Sequence, residues 1–275
     1  MTVSWNEACQ LLDQAALILN SEEHHPLKDN YHAGIDLGTA DIVLVVLDEN
    51  GHPVASFLEW AEVVRDGVVY DFIGAVDIVQ RLIDKAQKRL GVEISCSSTS
   101  FPPGTSQRLS TNILERAGLE VSLVHDEPTC VANMFHLDKT AVVDLGGGTT
   151  GIAVIQDGKV VYSGDEPSGG RHITLSIAGH FNIPLEEAEK RKQNAELHNI
   201  LNIARPTLQR MADIVAKHIT GMGVEQIILT GGTCCLHGVD KVFQQELGLP
   251  VKLPSQPLLM TPLAIAFLNI SHDHR

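Results

Sequence analysis

Two aspartates stand in matching phrases: Gly34-Ile35-Asp36-Leu37-Gly38-Thr39, and Val143-Asp144-Leu145-Gly146-Gly147-Gly148-Thr149-Thr150. Each ends an apolar run and is followed by glycine and a hydroxyl residue. The chemistry open to such a pair is polyphosphate and metal binding. Successive N–H groups in a glycine turn converge on an anion, because a residue without Cβ lets phosphate oxygens approach the backbone. Carboxylates facing each other across a polyphosphate suit Mg2+, which keeps most of its waters and is usually held by one or two carboxylates plus phosphates. One glycine turn is a weak signal, since many only connect strands. Two copies imply a duplicated unit closing on one ligand from both sides.

The elements around these phrases must aim them. Each phrase reads as a β-hairpin whose second strand (42–47 or 152–155) ends at a tight-turn pair, Asn50-Gly51 or Asp157-Gly158. A third strand is expected over 54–64, a helix over 75–90, and buried strands at 92–95 and 120–124 around a helix at 106–117. Helices are expected from Pro184, from Pro206 to about 220, and from Pro262 to about 270, with a strand at 225–229 leading into Thr230-Gly231-Gly232-Thr233. This alternation implies an α/β sheet with crossover helices. Asp126 can cap a helix that starts Glu127-Pro128, which would hold the Glu127 carboxylate rigidly and suit it to positioning a water. Glu189 and Lys192 share a helix face, where a surface ion pair is the plain reading.

Residues 1–30 stand apart. Trp5, Ala8, Leu12, Ala15 and Leu19 recur at helical spacing, ahead of a polar connector at 21–30. Packing against the main body is the expected role, and docking of a partner is the sharper alternative.

Composition narrows the function classes. A net charge of −14, from 20 basic and 34 acidic residues, argues against a nucleic-acid partner, which needs clustered Lys and Arg. The apolar runs have strand length and fall short of a membrane span. No Lys or Arg precedes Lys28, so the basic leader of a secretory signal is missing and a cytoplasmic protein is expected. The five cysteines have neither zinc-site nor disulfide-framework spacing. His24-His25 and the tail 271–275 read as polar surface rather than metal ligands.

From about residue 31 to 270 the motifs, in order, resemble those of the actin-like ATPase superfamily, which includes actin, the Hsp70 nucleotide-binding domain, sugar kinases and bacterial cytoskeletal proteins. The two aspartate phrases resemble its phosphate motifs, and Glu127-Pro128-Thr129-Cys130-Val131-Ala132 its first connecting helix. Ile228-Leu229-Thr230-Gly231-Gly232-Thr233 resembles its adenosine motif, and Thr261-Pro262-Leu263-Ala264 its second connecting helix. The resemblance implies a two-lobed, duplicated ribonuclease H-like α/β fold that takes ATP and Mg2+. Lobe I would be 31–138, completed by a C-terminal helix at 258–275, and lobe II 139–257. It implies Glu127 orienting the attacking water, Asp144 and Thr149 beside it, and Asp36 with Asp144 holding Mg2+ through water. Gly38, Thr39, Gly146, Gly147, Gly148, Thr150, Gly169, Gly170, Gly231, Gly232 and Thr233 would line the nucleotide, with Glu189 and Lys192 at ribose and adenine.

The stretch from Gly169 to Lys192 is similar to the cell-division protein FtsA. More narrowly, the chain resembles a family of Hsp70-like proteins of bacterial ethanolamine utilisation, for which a chaperone role has been suggested. That resemblance implies protein partners among the pathway's enzymes or its compartment shell, in the cytoplasm or at a bacterial microcompartment, and leaves oligomers open. There are departures. Ala40 stands where Hsp70 has a second Thr, the Hsp70 lysine near the γ-phosphate has no clear counterpart, and no peptide-binding domain follows 270. Slow Mg-dependent ATP hydrolysis is expected. The rival functions are an FtsA-like filament or scaffold, a small-molecule kinase and a non-hydrolysing nucleotide-sensing regulator.

Overall fold

Both aspartate phrases fold as antiparallel hairpins in the computed structural model, which describes residues 2–28, 30–61, 64–65, 68–195 and 199–273. β1 (Tyr31–Leu37) pairs with β2 (Asp41–Asp48), and β8 (Thr140–Leu145) with β9 (Thr150–Gln156). β3 (Pro53–Trp60), β6 (Cys96–Phe101) and β7 (Glu120–Asp126) complete one sheet in the order β3-β2-β1-β6-β7. β10 (Lys159–Glu166), β11 (Gln226–Thr230) and β12 (Val251–Lys252) complete the other as β10-β9-β8-β11-β12. In both, the first three strands run antiparallel and the last two parallel to the hairpin's first strand. The duplication expected from the sequence is thus a duplication of topology, and the fold is two-lobed α/β. A two-stranded ribbon, β4 (Val64–Arg65) and β5 (Val68–Val69), follows β3.

The hairpin strands are apolar throughout because both sheet faces are covered, and alternate residues serve different cores. Val43, Val45 and Leu47 face a central core shared with Val142, Ala153 and Ile155 of the other sheet. Ile42, Leu44 and Val46 face α2 (Phe72–Leu90) and α3 (Arg108–Arg116). Val143, Ile152 and Val154 face α5 (Gly170–Phe181), α7 (Ile200–Ile219) and α8 (Val239–Leu247). α4 (Glu127–Asn133) and α9 (Pro257–Asp273) fill the central core. At Gly34 the α9 backbone touches β1: a Cβ there would lie 2.3 Å from the Ala266 nitrogen.

Several expectations need correction. The buried strand expected at 92–95 is irregular, and β6 lies after it in a polar stretch that apolar patterning passes over. Its hydroxyls are buried because each finds an acceptor: Thr99 Oγ1 donates to the Ile35 carbonyl (2.9 Å), Ser98 Oγ to Asn269 Oδ1 (3.1 Å), and Ser100 Oγ to Asp36 Oδ1 (3.1 Å). Pro206 and Pro262 do not open helices. Both lie inside, since α7 starts at Ile200 and α9 at Pro257, where Ile200, Ala204 and Leu259 are already buried. The strand expected to reach 64 ends at Trp60, with 62–63 outside the described residues.

The N-terminal stripe lies in the core. α1 (Trp5–Leu17) starts at a capping box in which Ser4 and Glu7 satisfy each other's backbone N–H groups. Ala8, Leu12 and Ala15 are fully buried against β3, α4 and α9, and the Trp5 ring lies 5.7 Å from that of Phe135. The stripe is therefore not free to dock a partner. Leu12→Ala should cost about 2–5 kcal/mol in denaturant unfolding; a loss under about 1 kcal/mol, the size expected at surface sites, would refute this packing.

Candidate functional site

The two glycine turns meet. A Cβ on Gly147 would lie 3.3 Å from the Ala40 Cβ and 3.4 Å from the Thr39 Cβ, so the turns come together closely enough that a side chain there would crowd them. Around them lies a cavity of about 580 Å³. Of the residues expected at the site, Asp36, Gly38, Thr39, Glu127, Asp144, Gly146, Gly147, Thr149, Glu189, Lys192, Gly231, Gly232 and Thr233 line it. Trp60, Leu236 and His237 are further wall residues that the sequence did not single out.

Four expected residues lie outside that wall. Thr150 points to the opposite face of its strand from Thr149, and its hydroxyl donates to the Ser168 carbonyl at 2.6 Å. Gly169 and Gly170 buttress the second turn: Gly170 N donates to Gly146 O (3.0 Å), Arg171 N donates to Gly147 O (2.8 Å), and a Cβ on Gly169 would lie 2.5 Å from the Gly148 carbonyl carbon. Gly148 belongs to that turn without lining the cavity. Gly231 has a left-handed φ of 91°, and a Cβ on it would come within 2.3 Å of Asp144 Oδ1.

Local structure fixes the carboxylates. Asp126 caps α4 by accepting the Thr129 N–H at 3.1 Å, which sets Glu127 and Pro128 in the first turn. Thr261 Oγ1, from α9, donates to Asp144 Oδ2 at 2.6 Å. Burial, with Asp144 and Asp41 nearby, pushes the Asp36 carboxyl up to about 8. Burial and then Asp144 raise Asp41 to about 7, and burial raises Asp144 to about 6. Glu127 is raised well above the usual range by burial, then by Asp144 and Asp36. Asp165, on β10, is raised to about 7 by burial.

Among the described residues, cationic groups do not match these acids. Lys192 is the lysine that lines the cavity, and its ammonium is held by Glu189 Oε2 (2.7 Å), Thr174 Oγ1 (2.9 Å) and the Gly170 carbonyl (3.2 Å). Both readings of Glu189 and Lys192 therefore stay compatible, since the ion pair is itself part of the wall. Hard oxygen donors with raised proton affinity fit a hydrated divalent cation. Among the described residues no three His, Cys, Asp or Glu side chains converge to hold a metal directly. A cation here would be held through water and phosphate oxygens.

Asp41, Ser100 and Thr261 are the site residues that sequence reasoning missed. Asp41 follows the first glycine turn and Thr261 opens the second connecting-helix motif, so both had a local signal in a phrase already noticed. Ser100 had none.

The comparisons agree with this geometry. A family model described as type IV pilus assembly protein PilM matches residues 129–261. The ethanolamine utilization protein EutJ of Salmonella typhimurium is 53% identical over 234 residues, covering 85% of this chain and 84% of that protein. The crystal structure of EutJ from Carboxydothermus hydrogenoformans superimposes with a TM-score of 0.90 at 43% identity, over 96% of this chain and 99% of that one. MreB5 of Spiroplasma citri bound to AMPPNP shares the fold, with a TM-score of 0.70 at 16% identity over 90% and 98% of the two chains. No helix among the described residues is long and apolar enough to cross a membrane. With the duplicated topology and more than half of the aligned residues identical to a relative over most of both lengths, the chain belongs to the EutJ family of ethanolamine utilization proteins, on the actin-like ATPase fold.

Proposed function

We propose that the chain binds Mg·ATP between its lobes, hydrolyses it slowly, and uses lobe closure to control a protein partner in ethanolamine utilisation. One observation carries this reading: glycine turns from two equivalent hairpins meet at one cavity ringed by carboxylates that the cations among the described residues do not match. The turn N–H groups would hold the phosphates, Gly231 and Gly232 would lie against the base, and Glu189 with Lys192 would reach the ribose. Asp36 and Asp144 would hold hydrated Mg2+, which when bound neutralises phosphate charge. Glu127, fixed by the α4 cap, orients the attacking water and takes its proton. Lys192 is already committed to Glu189, so little cationic help reaches the terminal phosphate, and turnover should fall below roughly 1 s⁻¹.

Closure would move residues 31–138 with 258–275 against 139–257, with α4 and α9 as hinges. The partner would be an ethanolamine-utilisation enzyme or a compartment shell protein in the cytoplasm, and the role that of a chaperone or assembly factor. The relatives' names support this placement. The match to a pilus assembly protein over 129–261 favours a second reading, an ATP-dependent scaffold. Calorimetric titration with ATP or ADP and Mg2+ tests the site: no heat at millimolar nucleotide would sink it. Pulldown from ethanolamine-grown cells with and without ATP tests the partner, and ATP-dependent light scattering tests the scaffold.

A further inference from the structure

We propose that Asp41 and Trp60 form a site for a primary ammonium on the first-sheet wall of the cavity, and that the bound amine supplies the cation the nucleotide site lacks. The coupling to nucleotide rests on the ATPase reading above. Asp41 opens β2 and Trp60 closes β3, and the two are direct cross-strand partners, so their side chains leave the sheet on the same face. By strand alternation it is the face that carries Val43, Val45 and Leu58 into the central core. Its last row, where the core gives way to the cavity, holds a carboxylate and an indole in place of another apolar pair.

The fold uses neither group. Asp41 is 8% exposed and lines the cavity, yet its carboxylate has no hydrogen-bond or ion-pair partner among the described residues. It lies against the first glycine turn, since a Cβ on Gly38 would be 3.2 Å from its Oδ1. A buried carboxylate without a partner costs stability, so a row that only closed the core would not carry one. Trp60 is anchored through its neighbour, because Ala61 N donates to the Ala40 carbonyl at 3.0 Å. It is nonetheless 57% exposed, and among the described residues no other ring or cation stacks on its ring.

A carboxylate beside an open aromatic face suits an organic ammonium: the carboxylate accepts its N–H groups and the ring quadrupole attracts its charge. A hydrated metal ion would use the carboxylate and leave the indole without a role. An ammonium at Asp41 lies beside the turn that would hold phosphate, and it adds the positive charge that Lys192, paired with Glu189, does not supply. Amine and Mg·ATP then favour each other's binding, by linkage to the same extent.

The probe is ethanolamine, the primary ammonium of the pathway placed above, against ethylene glycol, which has a hydroxyl where ethanolamine has its ammonium. The chain has two tryptophans, Trp5 and Trp60, so the full chain with Trp5→Phe reports Trp60 emission alone. Ethanolamine should change that emission saturably and ethylene glycol should not. By calorimetry, Asp41→Asn should weaken amine binding at least about tenfold, the size of a lost charge-assisted hydrogen bond. Trp60→Leu should weaken it at least about threefold and Trp60→Phe less, as a cation–π contact requires. Saturating ethanolamine should tighten Mg·ATP binding at least about fivefold, the low end of coupling between sites. No saturable binding, an equal response to ethylene glycol, or unchanged amine affinity in Asp41→Asn overturns the ammonium site. If Asp41→Asn does not fold, full amine affinity in Trp60→Leu overturns it. Tighter binding of Nα-acetyl-lysine amide than of ethanolamine would give the site to a partner's lysine and overturn the free amine. Amine binding with unchanged Mg·ATP affinity overturns the coupling. A chain that binds ethanolamine but no nucleotide overturns the ATPase reading and the coupling, and leaves the ammonium site standing.

Discussion

Chelating Mg2+ should weaken ATP binding to this chain at least about a hundredfold, because charges about 4 Å apart interact by roughly 4 kcal/mol near a protein surface. At pH 8.5, above the folded values of Asp36, Asp41 and Asp144, a metal-free polyphosphate entering the cavity meets these carboxylates at its wall. The ammonium available to offset them, Lys192, is already paired with Glu189 at 2.7 Å. The glycine-turn N–H groups supply partial positive charge, which does not match several carboxylates. A divalent cation changes the sign of the balance, since it screens carboxylates and phosphates together. Titration of ATP in Mg2+ and then in EDTA measures the effect. Comparable affinity in both would remove the carboxylates from any role in metal-dependent binding.

The ligand-free chain should become less stable as pH rises from about 5 to 8.5, the window set by carboxyls raised from about 3.8 to between about 6 and 8. Asp36, Asp41 and Asp144 bind protons more tightly folded than unfolded. The folded state therefore holds more protons than the unfolded chain through this range, and stability falls as they leave. The favourable term is complete below the unfolded value near 3.8 and is lost as pH passes the folded values. One unit on one carboxyl is about 1.4 kcal/mol, and about 1 kcal/mol shifts melting by roughly 2–4 °C at this chain length. A fall of at least about 10 °C is expected across the window, since the three carboxyls together shift by several units. Asp36→Asn and Asp144→Asn should each flatten the slope and raise melting at pH 8, and Mg2+ with nucleotide should do the same in the parent chain. Asp144→Asn should also lower hydrolysis more than nucleotide affinity. A melting temperature that rises or stays level from pH 6 to 8.5 would contradict this electrostatic picture, as would an equal slope in the Asn variants.

Local chemistry was legible where a few adjacent residues settle it. Asp36 and Asp144 with their glycine turns, the tight turns after β2 and β9, and the Asp126 cap before Glu127 all depend on backbone geometry within a short window, so their spacing announced them. The duplicated topology was legible for the same reason, because each hairpin repeats its own local signals. Sequence reasoning failed where partners are distant. Gly34 is required by Ala266, Thr261 serves Asp144, and Ser100 serves Asp36 from a strand whose polar residues hide its burial. Thr150 was grouped with its neighbour Thr149 although adjacent strand residues face opposite ways. The stripe of α1 fixed its helix, while only packing against β3, α4 and α9 decided that the stripe is core. The sequence by itself determined which segments make glycine turns and a helix-capped carboxylate, since those are properties of short backbone stretches. The tertiary structure alone decided which turns meet and which hydroxyls and acids stand behind them, because those contacts form only when two sheets close on a shared core.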